Sequence, residues 1–269
     1  YLGVHWLMPG EVGEAYTQVK TVRIPVIDRI ESSPFDYRKV DILKGPLGEE
    51  WEKHLKLGEV AAVKHNHAWI KTIPPSLFDK HPDWFAQHDG KPIRPTEGMR
   101  YKLETTNQEM VHAYADTIIK TFRNNPNQRF YSLSPSDGGG EYWSDSPASR
   151  ALLDVDPYGK LSRTPLILKF YNDVAKIVGH EFSDHKLCGY LYNDYRWPPS
   201  NGILDLEPNI ALFLVGNTHH YRLFRTHDRL YTKVSNAEAN EKLMRTWGKL
   251  SNTHKFDLYF YDYPIWMRY

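Results

Sequence analysis

The chain has 269 residues, 41% of them hydrophobic, and a formal net charge of +1, which suits one large domain or two small ones. This balanced charge gives no electrostatic attraction to nucleic acid or to an anionic membrane, and no apolar stretch approaches the roughly 20 residues that span a bilayer. The single cysteine, Cys188, excludes an intrachain disulfide and a cysteine-ligated zinc site, and we interpret it as a small buried side chain.

Residues 1–33 are predicted to be the end of a preceding α/β domain followed by a linker. They contain a strand-like run, VRIPVI, and lead into the proline-containing segment ESSPF. The first residues lack the basic and apolar regions of a signal peptide, and they lack an initiator methionine. We therefore expect the chain to be part of a longer protein that carries additional domains.

Over residues 34–269, short strand-like runs alternate with helix-like runs. The predicted strands are FDYRK, VAAVKHNHAWI, YKLETTN, RFYSLSP, KLCGYLYND, NIALFLVGN and KFDLYFYD, and the predicted helices are EEWEKHLKLG, NQEMVHAYADTIIKTFRNNP, TPLILKFYNDVAKIVGH and AEANEKLMRTWGKL. Such alternation predicts a parallel sheet, either a (β/α)₈ barrel or an open doubly wound sheet. No GxGxxG motif follows the first strand, which weakens a dinucleotide-binding fold.

Five of the predicted strands end in polar residues that can do chemistry: HNHAW, ETTN, SPSDGGGE, YNDYRW and YDYP. Barrel enzymes collect their catalytic residues at the carboxyl ends of the strands in this way. We therefore predict that residues 34–269 form an α/β fold, a (β/α)₈ TIM-like barrel that is incomplete near its C-terminus. With seven strands counted, the eighth is either missing or overlooked.

Carboxylates follow the ends of three of these strands: Asp137, Glu141, Asp194 and Asp262. Hydrolysis of a glycosidic bond needs two carboxyl groups that face each other, one protonated and one ionised. The glycines beside Asp137 have two interpretations. Gly138 and Gly139 either let a ligand approach the backbone N–H groups, or they only form a turn to which Asp137 bonds.

His65 and His67 form an HxH motif at a strand end, where alternate side chains point to the same face. They could ligate a metal ion, or they could hydrogen-bond to a ligand or to the adjoining loop. No third ligand follows at a suitable spacing, so no metal is predicted. Aromatic residues make up 14% of the chain, and those near the strand ends suit either sugar stacking or ordinary packing.

The motif order HNHAW, HPDWFAQHDGKP, LETTNQEMV, SLSPSDGGG and YLYNDYRWPP resembles the domain of unknown function 4838 family. This bacterial family is similar to the barrels of family 67 α-glucuronidases and family 20 hexosaminidases. The resemblance covers roughly residues 1–215 and supports His65, Asp89, Asn107 and Asp137 as motif positions. In the related hydrolases the acid catalyst ends the fourth strand, where Asp137 and Glu141 fall. Hexosaminidases carry adjacent Asp and Glu residues there, whereas three glycines separate the two in this sequence.

Together these features predict a glycoside hydrolase that acts on a complex or acidic glycan. Asp137 or Glu141 would be the general acid, and Asp194 would be the partner base or would orient a substrate amide. The predicted sugar contacts are His65, His67, Asp89, Asn107, Gly138, Gly139, Trp143, Tyr192, Tyr195, Trp197 and Asp262. The alternative is a carbohydrate-binding barrel without catalysis. No cofactor is predicted, and the resemblance implies a periplasmic or secreted location.

Overall fold

The computed structural model describes residues 3–24, 26–28, 30, 32–33, 35, 37–39, 45–59, 63, 65–138, 140–202, 204–216 and 236–262. The chain forms two compact units, Tyr1–Val63 and Lys64–Tyr269. The sequence predicts a domain boundary after residue 33, whereas the two compact units divide after Val63. The predicted boundary concerns the longer protein and stays a prediction. No helix within the described ranges is long and apolar enough to cross a membrane.

The first unit consists of short elements. Strand β1 (His5–Trp6) pairs antiparallel with β2 (Glu14–Ala15), β3 (Tyr37–Arg38) pairs antiparallel with β4 (Gly58–Glu59), and helix α1 spans Pro46–His54. The run FDYRK, predicted as the first barrel strand, therefore forms β3 of an antiparallel pair. Its polar and charged residues lack the continuous apolar character that a parallel strand, buried on both faces, requires.

The second unit contains the remaining elements. Its strands are β5 (Gln87–His88), β6 (Lys91–Pro92), β7 (Phe130–Ser132), β8 (Asp154–Val155), β9 (Leu161–Ser162), β10 (Lys186–Leu191), β11 (Ile210–Gly216) and β12 (Asp257–Asp262). Its helices are α2 (Trp69–Thr72), α3 (Gln108–Asn124), α4 (Pro147–Arg150), α5 (Thr164–Gly179) and α6 (Asn236–His254). Single 3₁₀ turns cover Pro75–Leu77, Pro82–Trp84, Gly140–Tyr142 and Asn193–Tyr195. The pairs β5–β6 and β8–β9 are antiparallel hairpins.

Four strands form a parallel sheet in the order β12-β11-β10-β7. Helix α5 connects β7 to β10, and α6 connects β11 to β12. These elements fall within the runs RFYSLSP, KLCGYLYND, NIALFLVGN and KFDLYFYD and the helical runs between them, so the predicted α/β class with a parallel sheet is confirmed. A parallel bridge between His67 and Ser134 adds the segment around His67 beside β7.

The run YKLETTN is the second strand prediction that the structure changes. Only Leu103 within it makes a bridge, and that bridge to Phe85 is antiparallel. The run instead carries a buried lysine and a buried glutamate, Lys102 and Glu104, whose side chains bond to neighbouring loops. Its hydrogen bonds therefore tie loops together rather than extend the parallel sheet.

The centre of β10 lies against α5. Gly189 has no side chain, and a Cβ there would lie 2.2 Å from the ring of Tyr171 on α5, so only glycine allows this close approach. The Tyr171 hydroxyl donates a hydrogen bond of 3.1 Å to the Tyr190 carbonyl, which fixes the helix to the strand. The neighbouring Cys188 is fully buried, as predicted, and burial raises the pKa of its thiol.

Candidate functional site

Asp137 lies in the loop after β7, at the carboxyl edge of the parallel sheet. Its Oδ2 accepts a hydrogen bond of 3.0 Å from Nη1 of Arg100, and its Oδ1 accepts one of 2.9 Å from the Gly138 N–H. The side chain is 43% exposed, so a ligand can reach it. The arrangement therefore places a carboxylate and a guanidinium side by side where a ligand can contact both.

Gly138 has a φ of +63°, a left-handed conformation that favours glycine. A Cβ at this position would lie 3.4 Å from side-chain atoms of Arg100. Both observations support the interpretation that this glycine serves the turn and the approach of Arg100. The predicted ligand contact at Gly139 lies outside the described residues.

His67 faces the same carboxylate. Its Nδ1 lies 2.5 Å from the Pro135 carbonyl, which can only accept, so Nδ1 carries the proton and donates it. Its Nε2 lies 3.9 Å from Oδ1 of Asp137. A ligand hydroxyl placed between this nitrogen and the carboxylate could therefore bond to both groups.

His65 occupies a more aromatic environment. Its Nδ1 lies 2.9 Å from the Tyr190 hydroxyl, and its ring stacks on Phe213 with centroids 4.5 Å apart. The rings of His65 and His67 both contact the ring of Tyr190, so both histidines of the HxH motif pack against the same tyrosine. Tyr192 lies beside His67, and burial together with the charge of Asp137 raises its pKa.

Asp194 lies in the 3₁₀ turn that follows β10, the neighbour of β7. Its carboxylate is ion-paired with the guanidinium of Arg163, and its carbonyl accepts the Arg163 N–H at 2.7 Å. Because the strands are parallel and adjacent, Asp194 and Asp137 lie at the same edge of the sheet, as predicted.

Lys102 is the central residue that sequence reasoning missed. Only 2% of it is exposed, and its Nζ donates to the carbonyls of Ser136 at 2.5 Å and of Gly138 at 2.6 Å. Burial lowers its pKa to about 8, while the charges of Asp194, Asp137 and Glu141 act in the opposite direction. The charges of all three carboxylates thus act on one buried ammonium. No signal in YKLETTN distinguishes this lysine from an exposed one.

Glu141 lies in the exposed 3₁₀ turn Gly140–Tyr142. No hydrogen bond or ion pair joins it to another residue among those described, in contrast to the two aspartates. Asp262, the fourth predicted carboxylate, pairs through its backbone with Gly216 at the carboxyl end of β12.

The predicted stacking surface needs correction. Trp143, Tyr195 and Trp197 are all buried, so their rings contribute to packing and are not exposed to a sugar. Trp143 contacts two cations instead: Nζ of Lys102 lies 5.1 Å from its ring centroid and the Arg163 guanidinium lies 5.5 Å away. It therefore links the groups that support Asp137 and Asp194.

Asn107 is a helix cap rather than a sugar contact. Its Oδ1 accepts the Met110 N–H at 3.1 Å at the start of α3, and its Nδ2 donates to Asp83 at 2.7 Å. With both ends of the amide used, the predicted role in binding is corrected to a structural one. An asparagine directly before a strongly periodic helix is the usual cap signal, and it identifies this role from sequence.

Asp89 belongs to a separate polar cluster, in the turn between β5 and β6. Asp145 accepts its N–H at 3.2 Å and also bonds to Arg150 at 3.1 Å, while His88 lies 3.3 Å from the same carboxylate. Within the described ranges, His88, Asp89 and Asp145 form the one group of ligand-type side chains close enough to share a metal ion. It contains neither His65 nor His67.

A family model described as "Domain of unknown function (DUF4838)" matches residues 8–269. No curated protein matches the chain. Among solved structures, the chain is similar to the crystal structure of the Clostridial cellulose synthase subunit Z (CcsZ) from Clostridioides difficile, with a TM-score of 0.32 and 10% identity. That alignment covers 78% of this chain and 56% of that chain, so the chain spans little more than half of its length. Likeness at this level carries no argument about fold or function.

Proposed function

Given that the chain belongs to the DUF4838 family, as its motifs indicated, we propose that its second unit is a glycoside hydrolase acting on a complex or acidic glycan. One observation carries the proposal. Asp137 and Asp194 follow two adjacent parallel strands at one edge of the sheet, and their charges, with that of Glu141, act on the same buried ammonium of Lys102. Carboxylates gathered at one edge supply the pair of groups that glycosidic hydrolysis requires.

The partners of these carboxylates suggest their roles. Asp137 and Asp194 each form an ion pair with an arginine, which suits a carboxylate that acts as base or nucleophile. Glu141 lies in an exposed turn and forms no hydrogen bond or ion pair among the described residues, so its carboxyl group is the one that can turn towards the leaving oxygen. We assign Glu141 as general acid and Asp137 as the ionised nucleophile or base.

An acidic glycan fits the cationic side of the site. Arg100 donates to Asp137 through Nη1, and no other described residue accepts a hydrogen bond from it. It is 58% exposed, so its remaining N–H groups can reach a ligand. A guanidinium binds carboxylates in a planar, two-bond geometry, which suits a sugar acid. His67 and Tyr192 would hydrogen-bond to the hydroxyls of the same residue of the glycan.

The proposal includes a TIM-like barrel. The sheet order β12-β11-β10-β7, continued by the bridge to His67, follows the chain without reversal. Barrel strands succeed each other in this way, whereas a doubly wound sheet reverses its order at a switch point. The proposal also retains a periplasmic or secreted location and further domains in the same chain.

The test is turnover on a panel of neutral and uronic-acid-containing glycans. Asp137→Asn and Glu141→Gln should each reduce the rate about 10²–10⁴-fold if they act as base and acid. Asp173→Asn is a matched control, because Asp173 pairs with Lys169 on α5 and contacts none of the three carboxylates. Rates within twofold of wild type in both site variants would contradict the assignment.

The alternative is a carbohydrate-binding domain without catalysis. The ion pairs of Asp137 and Asp194 favour it, because ionised carboxylates are strong acceptors for sugar hydroxyls without any proton transfer. Binding of a glycan that is never cleaved, with affinity unchanged by Glu141→Gln and lowered by Asp137→Ala, would support this alternative.

A further inference from the structure

The Lys102 ammonium has three acceptors. Besides the carbonyls of Ser136 and Gly138, it contacts the Ser136 Oγ at 3.3 Å. That hydroxyl donates its own proton to the Tyr101 carbonyl, so it can only accept from Lys102. Each of the three ammonium protons therefore has a partner, and all the partners belong to one turn.

The two carbonyls bound by Lys102 flank Asp137 in the chain. Holding both fixes the backbone on the N-terminal and C-terminal sides of Asp137, and thereby the direction in which its carboxylate leaves the backbone. We propose that Lys102 is a positioning residue whose charged ammonium holds the 136–138 turn and presents Asp137 to the ligand. This inference rests on the proposed function of the same site.

The charge of Lys102 matters because a neutral amine has only two protons, too few for three acceptors. The groups whose charges act on it are Asp194, Asp137, Glu141 and Arg100. The Trp143 ring also lies against the Lys102 ammonium. Because burial lowers the pKa of Lys102 to about 8, mildly alkaline solution removes its proton. The neutral amine can keep only two of the three hydrogen bonds of Lys102, and the loss of the third loosens the 136–138 turn.

The test follows the Gly138 amide in ¹H–¹⁵N correlation spectra of the full chain from pH 6.5 to 9.5. We expect this resonance to shift with a midpoint near pH 8 in the wild type, because the Gly138 N–H lies between the two carbonyls that the ammonium binds and donates to the Asp137 carboxylate. The shift should be absent in Lys102→Met. Lys71→Met, which removes an exposed lysine, should behave as the wild type.

One control variant and the pKa of Tyr192 assign the titration to Lys102. His67→Gln removes the neighbouring imidazole and should leave the midpoint unchanged. Burial raises the pKa of Tyr192, so its ionisation falls above the range tested. If Lys102→Met does not fold, the wild-type titration and its persistence in His67→Gln still decide the question. A Gly138 resonance that stays constant across pH 8, or that titrates equally in Lys102→Met, would overturn the inference.

A second measurement tests the link to the site. Affinity for a bound glycan should fall about tenfold or more between pH 7 and 9.5, since the turn that presents Asp137 then loses one of its charge-assisted hydrogen bonds. Lys102→Met should bind weakly at both pH values, and Lys102→Arg should recover part of the affinity at pH 9.5. An affinity independent of pH alongside a titrating Gly138 amide would overturn the positioning role. Failure of the proposed hydrolysis itself appears separately, as absent turnover in the wild type.

Discussion

Glu104 and Asp137 are two carboxylates of the second unit with opposite environments. Only 3% of Glu104 is exposed, and it accepts hydrogen bonds from the Thr106 hydroxyl at 2.5 Å, from the Ser149 hydroxyl at 2.8 Å and from Ser144. The side chain of Asp137 is 43% exposed and is held by one arginine and its own turn.

The difference lies in how much accepting capacity each carboxylate has left. A carboxylate offers about four lone-pair directions. In Glu104 the protein occupies them with hydroxyls and the Thr106 N–H, so the group ties three segments together. In Asp137 part of this capacity faces solvent, which makes it available to a ligand. Spare accepting capacity, and not the presence of a carboxylate, therefore marks the candidate site.

The largest effect on stability is expected from Glu104→Leu. The change leaves the buried hydroxyls of Ser144 and Ser149 without their acceptor, so the free energy of unfolding should fall by about 3 kcal/mol. Asp137→Asn, the matched change at the exposed carboxylate, should alter it by less than about 0.5 kcal/mol. Urea unfolding measures both. Equal losses in the two variants would remove the distinction drawn above.

Lys102, whose ammonium binds the carbonyls of Ser136 and Gly138, should make the free energy of unfolding depend on pH. Burial lowers the pKa of Lys102 to about 8 in the folded protein, whereas an exposed lysine in the unfolded chain has its ordinary pKa of 10.5. Between these values the unfolded chain binds more protons, so the free energy of unfolding should rise with pH, by about 1.5 kcal/mol from pH 8 to 9.5. Urea unfolding of the wild type and of Lys102→Met at both pH values measures this rise, which should occur only in the wild type. If the free energies of unfolding of the two proteins differ by the same amount at pH 8 and at pH 9.5, the prediction is wrong.

A smaller effect is expected at the cap of α3. Asn107→Ala removes the acceptor for the Met110 N–H and should lower the free energy of unfolding by about 1 kcal/mol. Glycan affinity should stay within twofold of wild type, because the amide contacts Asp83 and the helix rather than Asp137. A large loss of affinity without loss of stability would restore Asn107 as a ligand contact.

Arg100→Met should have the smallest effect on stability, within about 0.5 kcal/mol, because Arg100 is 58% exposed and exposed ion pairs contribute little. Its effect on ligand binding should be larger and selective. Affinity for a uronic-acid-containing glycan should fall about tenfold more than affinity for its neutral counterpart, as titration calorimetry can measure. Equal losses for both glycans would indicate that Arg100 acts only by holding Asp137.

Much of the fold follows from periodicity, because long apolar patterns leave few alternatives. Helices α3, α5 and α6 and strands β10, β11 and β12 carry such patterns over many residues, and the structure contains all of them. The short polar runs FDYRK and YKLETTN do not, and both differ from their predicted place. Their pairing depends on tertiary contacts that a local pattern does not encode.

The candidate site divides in the same way. Asp137 and Asp194 could be predicted because strand ends in a parallel sheet share an edge. The supporting cations could not, since Arg100, Lys102 and Arg163 resemble any surface residue until the loops that contact them are known. The burial of the aromatic residues could not be predicted either. Tyr195 and Trp197 are of the kind that stacks on sugars, but both lie within the core.

The position of Cys188 also provides an experimental handle. Because it is the only thiol in the chain and is sealed within β10, an alkylating reagent can modify the protein only after the sheet opens. The rate of labelling therefore reports the opening of this sheet at a single atom, without dyes or engineered probes. Every variant described above can be ranked by the rate at which Cys188 is labelled.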